Sequence, residues 1–128
     1  MKLLLDTCTL LWATMTPGAL SEKARGLIAD PQNEILVSAI SAWEIATKVR
    51  LGKLSGAEQL EAEYLAVMER AGYRQVGMDT GMALRAGRLV AEHRDPFDRM
   101  LAATALSGDI AIVSPDAQLD AFGVRRVW

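Results

Sequence analysis

The run Leu3-Leu4-Leu5, closed at once by Asp6, is the feature that most constrains this chain. Three apolar residues stopped by a turn-former are too short for a helix and match a strand buried on both faces. Leu10, Leu11 and Trp12 follow at helical spacing, so Asp6 stands where a strand hands over to a helix. The same unit recurs. Apolar runs predict strands at residues 35–37 and 110–113, with weaker ones at 73–76 and 124–127. Between them the pattern predicts helices. The first breaks at Thr16-Pro17-Gly18, the second runs from Ser21 through Ile28, and the third opens at Ser38 or Ser41 and ends at Gly52. The longest is expected over residues 57–71, with Gly72 as its C-terminal residue. Further helices open at Asp79, at Asp95 and at Ser114-Pro115-Asp116, the last reaching Phe122. Short apolar strands separated by helices mean an α/β fold with a parallel sheet covered on both faces. Its 128 residues are read as one domain, 1–128, with ligands expected outside the carboxyl ends of the strands.

Composition narrows the chemistry. There is one cysteine, Cys8, and one histidine, His93, so neither an intrachain disulfide nor a Cys/His zinc site can be assembled. A Ser-His-Asp triad would have only His93 to use, and no Gly-x-Ser-x-Gly elbow occurs. No segment approaches the roughly 20 apolar residues of a membrane span, and the N-terminal apolar run is far too short for a signal peptide. A cytoplasmic protein is expected. The net charge of −2 does not by itself suggest nucleic-acid binding. Acids placed in a metal site are neutralised by the metal, however, so formal charge understates the attraction for phosphate.

Four acids stand at one kind of place. Asp6 follows the first strand, Glu44 lies in the first turns of the helix after the second, Asp116 follows the strand ending at Val113, and Asp98 is in the first turn of a helix. Each has a local use. Asp6 is a suitable N-cap, Ser41-x-x-Glu44 matches a capping box, and Asp98 and Asp116 are acids at helix starts. Asp95-Pro96 is an N-cap followed by proline at the first helical position. Capping, however, is indifferent to where the other acids lie. Carboxylates gathered at one edge of a sheet repel one another unless a cation sits among them. Oxygen ligands without Cys or His indicate a hard cation, Mg²⁺ with Mn²⁺ as a possible substitute. Such a site suits phosphoryl chemistry.

These residues carry a resemblance. Leu3-Leu4-Leu5-Asp6-Thr7, Val37-Ser38-x-x-Ser41-x-x-Glu44-Ile45, Asp98-Arg-Met-Leu-Ala-Ala-Thr104 and Ile112-Val113-Ser-Pro-Asp116 resemble the motifs of PIN domains. More narrowly, they resemble those of VapC-type toxins of type II toxin–antitoxin pairs. The stretch from His93 to Arg99 and the aromatic and glycine run ending in Trp128 resemble one branch of that group. The likeness covers essentially the whole chain. It implies a three-layer α/β/α sandwich with a central, mostly parallel sheet of four to five short strands. It implies a Mg²⁺-dependent endoribonuclease that hydrolyses RNA by a metal-activated water, leaving a 5′-phosphate and a 3′-hydroxyl. By matching motifs, Asp6 and Asp98 would be direct metal ligands, Glu44 would act through water, and Asp116 would complete the shell or bind a second ion. A homodimer and a cognate antitoxin protein covering the site are further implications. Two positions depart from the pattern: Cys8 replaces another polar residue, and Asp95 is an additional acid that would compete with Asp98 for its role.

Around the acids, Lys48, Arg50, Lys53, Arg94 and Arg99 are candidate phosphate contacts, with Arg99 first because it adjoins Asp98, or else solvated surface charges. Thr7 and Thr9 would bond a phosphate or a bound water, or cap locally. Trp12, Trp43 and Trp128 would stack on bases, although Trp12 and Trp43 lie in apolar helical stripes that fit a core or a dimer face better. Cys8 is expected as a small buried hydrophobe. His93 is read as a general acid or, more simply, as a lone surface histidine. Two rivals remain. An aspartate-nucleophile phosphatase of the haloacid dehalogenase type wants a second Asp at position 8, where this chain has Cys8. A non-catalytic module would use the acidic pocket to hold a basic partner peptide.

Overall fold

A computed structural model describes residues 1–128. Five short strands form one sheet: β1 (Lys2–Leu5), β2 (Glu34–Ser38), β3 (Arg74–Val76), β4 (Ala111–Val113) and β5 (Arg126–Val127). Their order is β3-β2-β1-β4-β5 and every pairing is parallel. Leu4 is the register point, paired with Leu36 on one side and Ile112 on the other. The helices are α1 (Thr7–Met15), α2 (Glu22–Ala29), α3 (Ala39–Arg50), α4 (Glu58–Ala62), α5 (Tyr64–Ala71), α6 (Thr80–Arg88) and α7 (Pro96–Gly108), with a 3-10 segment at Ala117–Phe122. None is long and apolar enough to cross a membrane.

Alternation along the strands makes the three layers. Leu3, Leu5, Ile35, Val37 and Val113 face a cluster with Leu10, Ala24, Ile45, Leu60 and Met68, drawn from α1 to α5. Leu4, Leu36 and Ile112 face the opposite cluster, with Leu101, Ala102 and Ala105 of α7 and Phe122. Leu3, Leu4 and Leu5 are all fully buried, which is why the first strand reads as an unbroken apolar run.

Helix starts follow the side chains expected to cap them. Asp6, Ser21, Asp79 and Asp95 accept main-chain N–H groups at the heads of α1, α2, α6 and α7. Of the two serines available, Ser38 caps α3, through Ile40 N at 3.0 Å. Ser41 lies inside that helix, so the capping box with Glu44 does not form. The single helix expected over residues 57–71 is two helices, broken at Glu63, where φ is −109° and ψ is 21°. The longest helix is instead α7, with 13 residues.

The chain builds one half of the sheet outward from β1 through β2 to β3, then returns to the other side of β1 with β4 and β5. The carboxyl ends of β1 and β4 therefore flank the topological switch point, where open α/β sheets leave a crevice. Asp6 follows β1 there, and Ser114 to Asp116 follow β4.

Candidate metal centre

Asp6 is 5% exposed, and both of its oxygens are held. Oδ1 accepts the Thr9 main-chain N–H at 2.7 Å, and Oδ2 accepts the Ser114 hydroxyl. The Ser114 hydroxyl oxygen in turn accepts the Asp116 N–H at 3.0 Å. Ser114 therefore ties the ends of β1 and β4 together and fixes Asp116 relative to Asp6. Across the crevice, the N-terminal turn of α7 presents Asp98. One ligating atom each from His93, Asp98 and Asp116 lie within 4.8 Å of one another. Donors on an octahedral ion with bonds of about 2.1 Å stand about 3 to 4.2 Å apart, so a small contraction would bring the Asp98 and Asp116 oxygens onto one cation, with the His93 nitrogen beside them.

Electrostatics point the same way. Burial pushes the Asp6 carboxyl above its ordinary range; the bonds from Ser114 and Thr9 only partly offset this, and the Asp116 charge adds to it. Asp98 is also raised, chiefly by burial, against the lowering bond from His93, with Asp95 and Asp116 raising it further. Two acids short of countercharge, both repelled by a third, form a donor set suited to a hard cation. The heads of α1 and α7 add the positive ends of two helix dipoles.

Glu44 is 7% exposed in α3 and pairs with Lys48 one turn on. It shares a field with the other acids at Cys8, whose thiol is pushed up to about 11 by lost hydration, then by the charges of Asp6 and Glu44. Thus Asp98 and Asp116 are grouped with His93, the charge of Asp116 reaches Asp6, and Glu44 is tied to the other acids only through the field at Cys8. Asp95 accepts Phe97 N at 2.9 Å as the α7 cap, and it is Asp98 that is grouped with Asp116 and His93.

Several expectations around the acids are corrected. Arg99 is not a free phosphate contact: four of the five N–H groups on its guanidinium donate to main-chain carbonyls of Ala86, Leu89, Ala91 and His93. The Thr7 hydroxyl is bonded to Ser41 at 3.0 Å, and Thr9 is fully buried, so neither projects toward solvent. Cys8 is exposed rather than buried, because α1 turns Thr7 and Thr9 inward on either side of it. Trp43 is 55% exposed, its ring edge-on to Phe97 at 5.1 Å, and so is not a core residue. Trp12 packs on Trp128. Arg50, Lys53 and Arg94 are exposed.

His93 is no lone surface residue. Its Nε2 lies 2.8 Å from Asp98 Oδ2, and its ring stacks on Phe122. Sequence reasoning missed Ser114 as part of the site, and it offered His93 as a general acid or a lone surface residue, not as a partner of Asp98. The only signal for His93 was its place five residues before Asp98. For Ser114 it was a hydroxyl immediately after a strand at the switch point.

A family model described as "PIN domain" matches residues 3–124. The chain belongs to the PIN domain family. A curated relative, Ribonuclease VapC16 of Mycobacterium tuberculosis, is 40% identical over 57 residues, a match spanning 44% of this PIN domain and 40% of the relative. The chain therefore matches only about two fifths of that relative's length. Among solved structures, VapBC2 from Rickettsia felis, bound to a DNA fragment from its promoter, superposes with a TM-score of 0.73 at 16% identity, covering 100% of this chain and 99% of that one. FitAcB from Neisseria gonorrhoeae gives 0.70 at 18% identity, covering 98% and 96%. At such identities these likenesses establish the α/β/α fold of the PIN domain.

Proposed function

We propose that this PIN domain is a divalent-metal-dependent endoribonuclease, the toxin of a type II toxin–antitoxin pair, working on Mg²⁺ with Mn²⁺ as a substitute. The observation that carries the reading is the convergence of Asp98, Asp116 and His93 within 4.8 Å beside a buried Asp6. The relative named as a ribonuclease and the PIN domain match over residues 3–124 support the same reading. The likeness to VapBC and FitAcB structures favours a cognate antitoxin protein as partner. A homodimer and a cytoplasmic location belong to the same proposal.

Asp6, Asp98 and Asp116 would hold the ion, with Glu44 at its margin acting through water. A bound divalent ion supplies charge neutralisation at a phosphate oxygen and a lowered pKa for an attacking water. The residues of the chain supply order. Ser114 and the Thr9 N–H fix both Asp6 oxygens, and Ser114 also fixes the Asp116 main chain. His93 holds one oxygen of Asp98. Lys48 pairs with Glu44 and partly balances its charge. No side chain is placed as a nucleophile, so attack by water in line with the leaving 3′-oxygen is the consistent route. It gives a 5′-phosphate and a 3′-hydroxyl.

Labelled structured RNAs incubated with Mg²⁺, Mn²⁺ or EDTA, beside Asp6→Asn and Asp98→Asn, test this. Cleavage that requires metal and disappears in both variants is expected. Cleavage unchanged in the variants, or insensitive to EDTA, would refute it.

A further inference from the structure

The segment joining α6 to α7 has little to hold it. Residues 89–94 make one main-chain hydrogen bond among themselves, Ala91 N to Leu89 O at 3.2 Å. Its order comes from a side chain outside it. Arg99, in α7, sends Nη2 to Leu89 O, Nη1 to Ala91 O at 3.3 Å and to His93 O at 3.1 Å, and Nε to Ala86 O at 3.1 Å. The same guanidinium lies over the Phe122 ring at 5.7 Å, and the His93 ring stacks on Phe122 at 5.6 Å with the planes 29° apart. His93 is thus fixed at its main-chain carbonyl and on one face of its ring. Its free edge brings Nε2 to Asp98 Oδ2 at 2.8 Å.

We propose that His93 is a positioning residue for the metal-ligating carboxylate of Asp98, and that Arg99 is the brace that sets it. Nε2–H occupies Oδ2, leaving Oδ1 to face the cation. A carboxylate has acceptor capacity for both partners at once, and ligating carboxylates work best when a hydrogen bond fixes their rotation. The competing arrangement, Nε2 bound to the ion itself, requires breaking the bond the imidazole already makes. Asp98 and Arg99 are adjacent in sequence, so the first turn of α7 carries both the ligand and the brace for its orienting group. The inference deepens the metal-nuclease reading and rests on it.

Calorimetric titration of the full chain with Mn²⁺ tests it, using the parent, His93→Gln and His93→Ala. Glutamine places an N–H near the position of Nε2 but is a poor substitute for imidazole as a ligand. Thermal unfolding of each variant fixes the folded fraction to which the affinity is normalised. His93→Ala should bind Mn²⁺ about 10- to 100-fold more weakly, and His93→Gln within about threefold of the parent. Equal large losses in both variants would show that the imidazole ligates directly and overturn the proposal. Parent-like affinity in His93→Ala would overturn it while leaving the nuclease reading intact. A parent chain that binds no Mn²⁺ would overturn both.

Discussion

Ser114 donates its hydroxyl to the carboxylate of Asp6, joining the ends of two neighbouring strands 108 residues apart in the chain. The bond is fully buried on the Ser114 side, and the same oxygen accepts the Asp116 N–H. Ser114→Ala removes both partners at once. It should destabilise the fold by about 1–3 kcal/mol, the cost of leaving buried polar groups unmet. Urea unfolding at neutral pH in EDTA measures this. An unchanged midpoint would mean that water replaces the hydroxyl without loss.

Asp6 gives the opposite sign. Its folded-state pKa is raised above the ordinary 3.8, mainly by burial, so the folded chain holds that proton more tightly than the unfolded chain does. The stabilising contribution therefore grows as pH falls through the folded pKa and is absent at neutral pH, where the buried charge is a cost. Asparagine carries no charge, can accept the Thr9 N–H and can donate to Ser114. In EDTA at pH 7, Asp6→Asn should melt no lower than the parent, whereas added Mn²⁺ should raise the melting temperature of the parent alone. A variant clearly less stable than the parent in EDTA would contradict this account of the Asp6 environment.

Cys8 reports on the same field. The thiol is exposed, yet lost hydration and then the nearby Asp6 and Glu44 charges push its pKa from 9.0 to about 11. Because the thiolate is the reactive form, and a more basic thiolate is also more nucleophilic, alkylation at pH 8 should run about 10-fold slower than for an unperturbed thiol. Mass-spectrometric timing of iodoacetamide labelling gives the rate. Labelling at the speed of a free cysteine would place the acids farther from Cys8 than the structure does.

Arg99→Lys keeps the charge and loses the fork. One ammonium cannot satisfy four carbonyls spread over Ala86 to His93, so the variant should lose about 3 kcal/mol of stability. Its backbone amides at residues 89–94 should exchange faster than in the parent. Parent-like exchange there would show that the segment holds itself without the brace.

What the sequence reveals follows from what is locally encoded. The strands at residues 3–5, 35–37 and 110–113 are legible because a parallel strand covered on both faces must be apolar throughout. Asp6, Ser21, Asp79 and Asp95 are legible as caps because their partners lie within three residues. Asp6, Asp98 and Asp116 stand out as candidates because each lies at a strand end or helix start, whereas Glu44 lies in the second turn of α3. The bond from Ser114 to Asp6 exists only once β1 and β4 pair, and no local pattern announces it. Arg99 looks like a surface cation beside an acid until the α6–α7 segment folds over it. His93 likewise acquires its role from Phe122 behind it. Cys8 is exposed because the buried threonines on either side of it, Thr7 and Thr9, define the inward face of α1 there, and no apolar pattern marks that face.

The central claim is that these carboxylates hold the catalytic ion. The most direct test is a crystal soaked in MnCl₂ and measured for anomalous scattering. The account predicts a peak about 2.1–2.3 Å from carboxylate oxygens of Asp98 and Asp116, beside Asp6, that is absent in Asp98→Asn. No peak in that crevice, at a Mn²⁺ concentration that supports RNA cleavage, would contradict it.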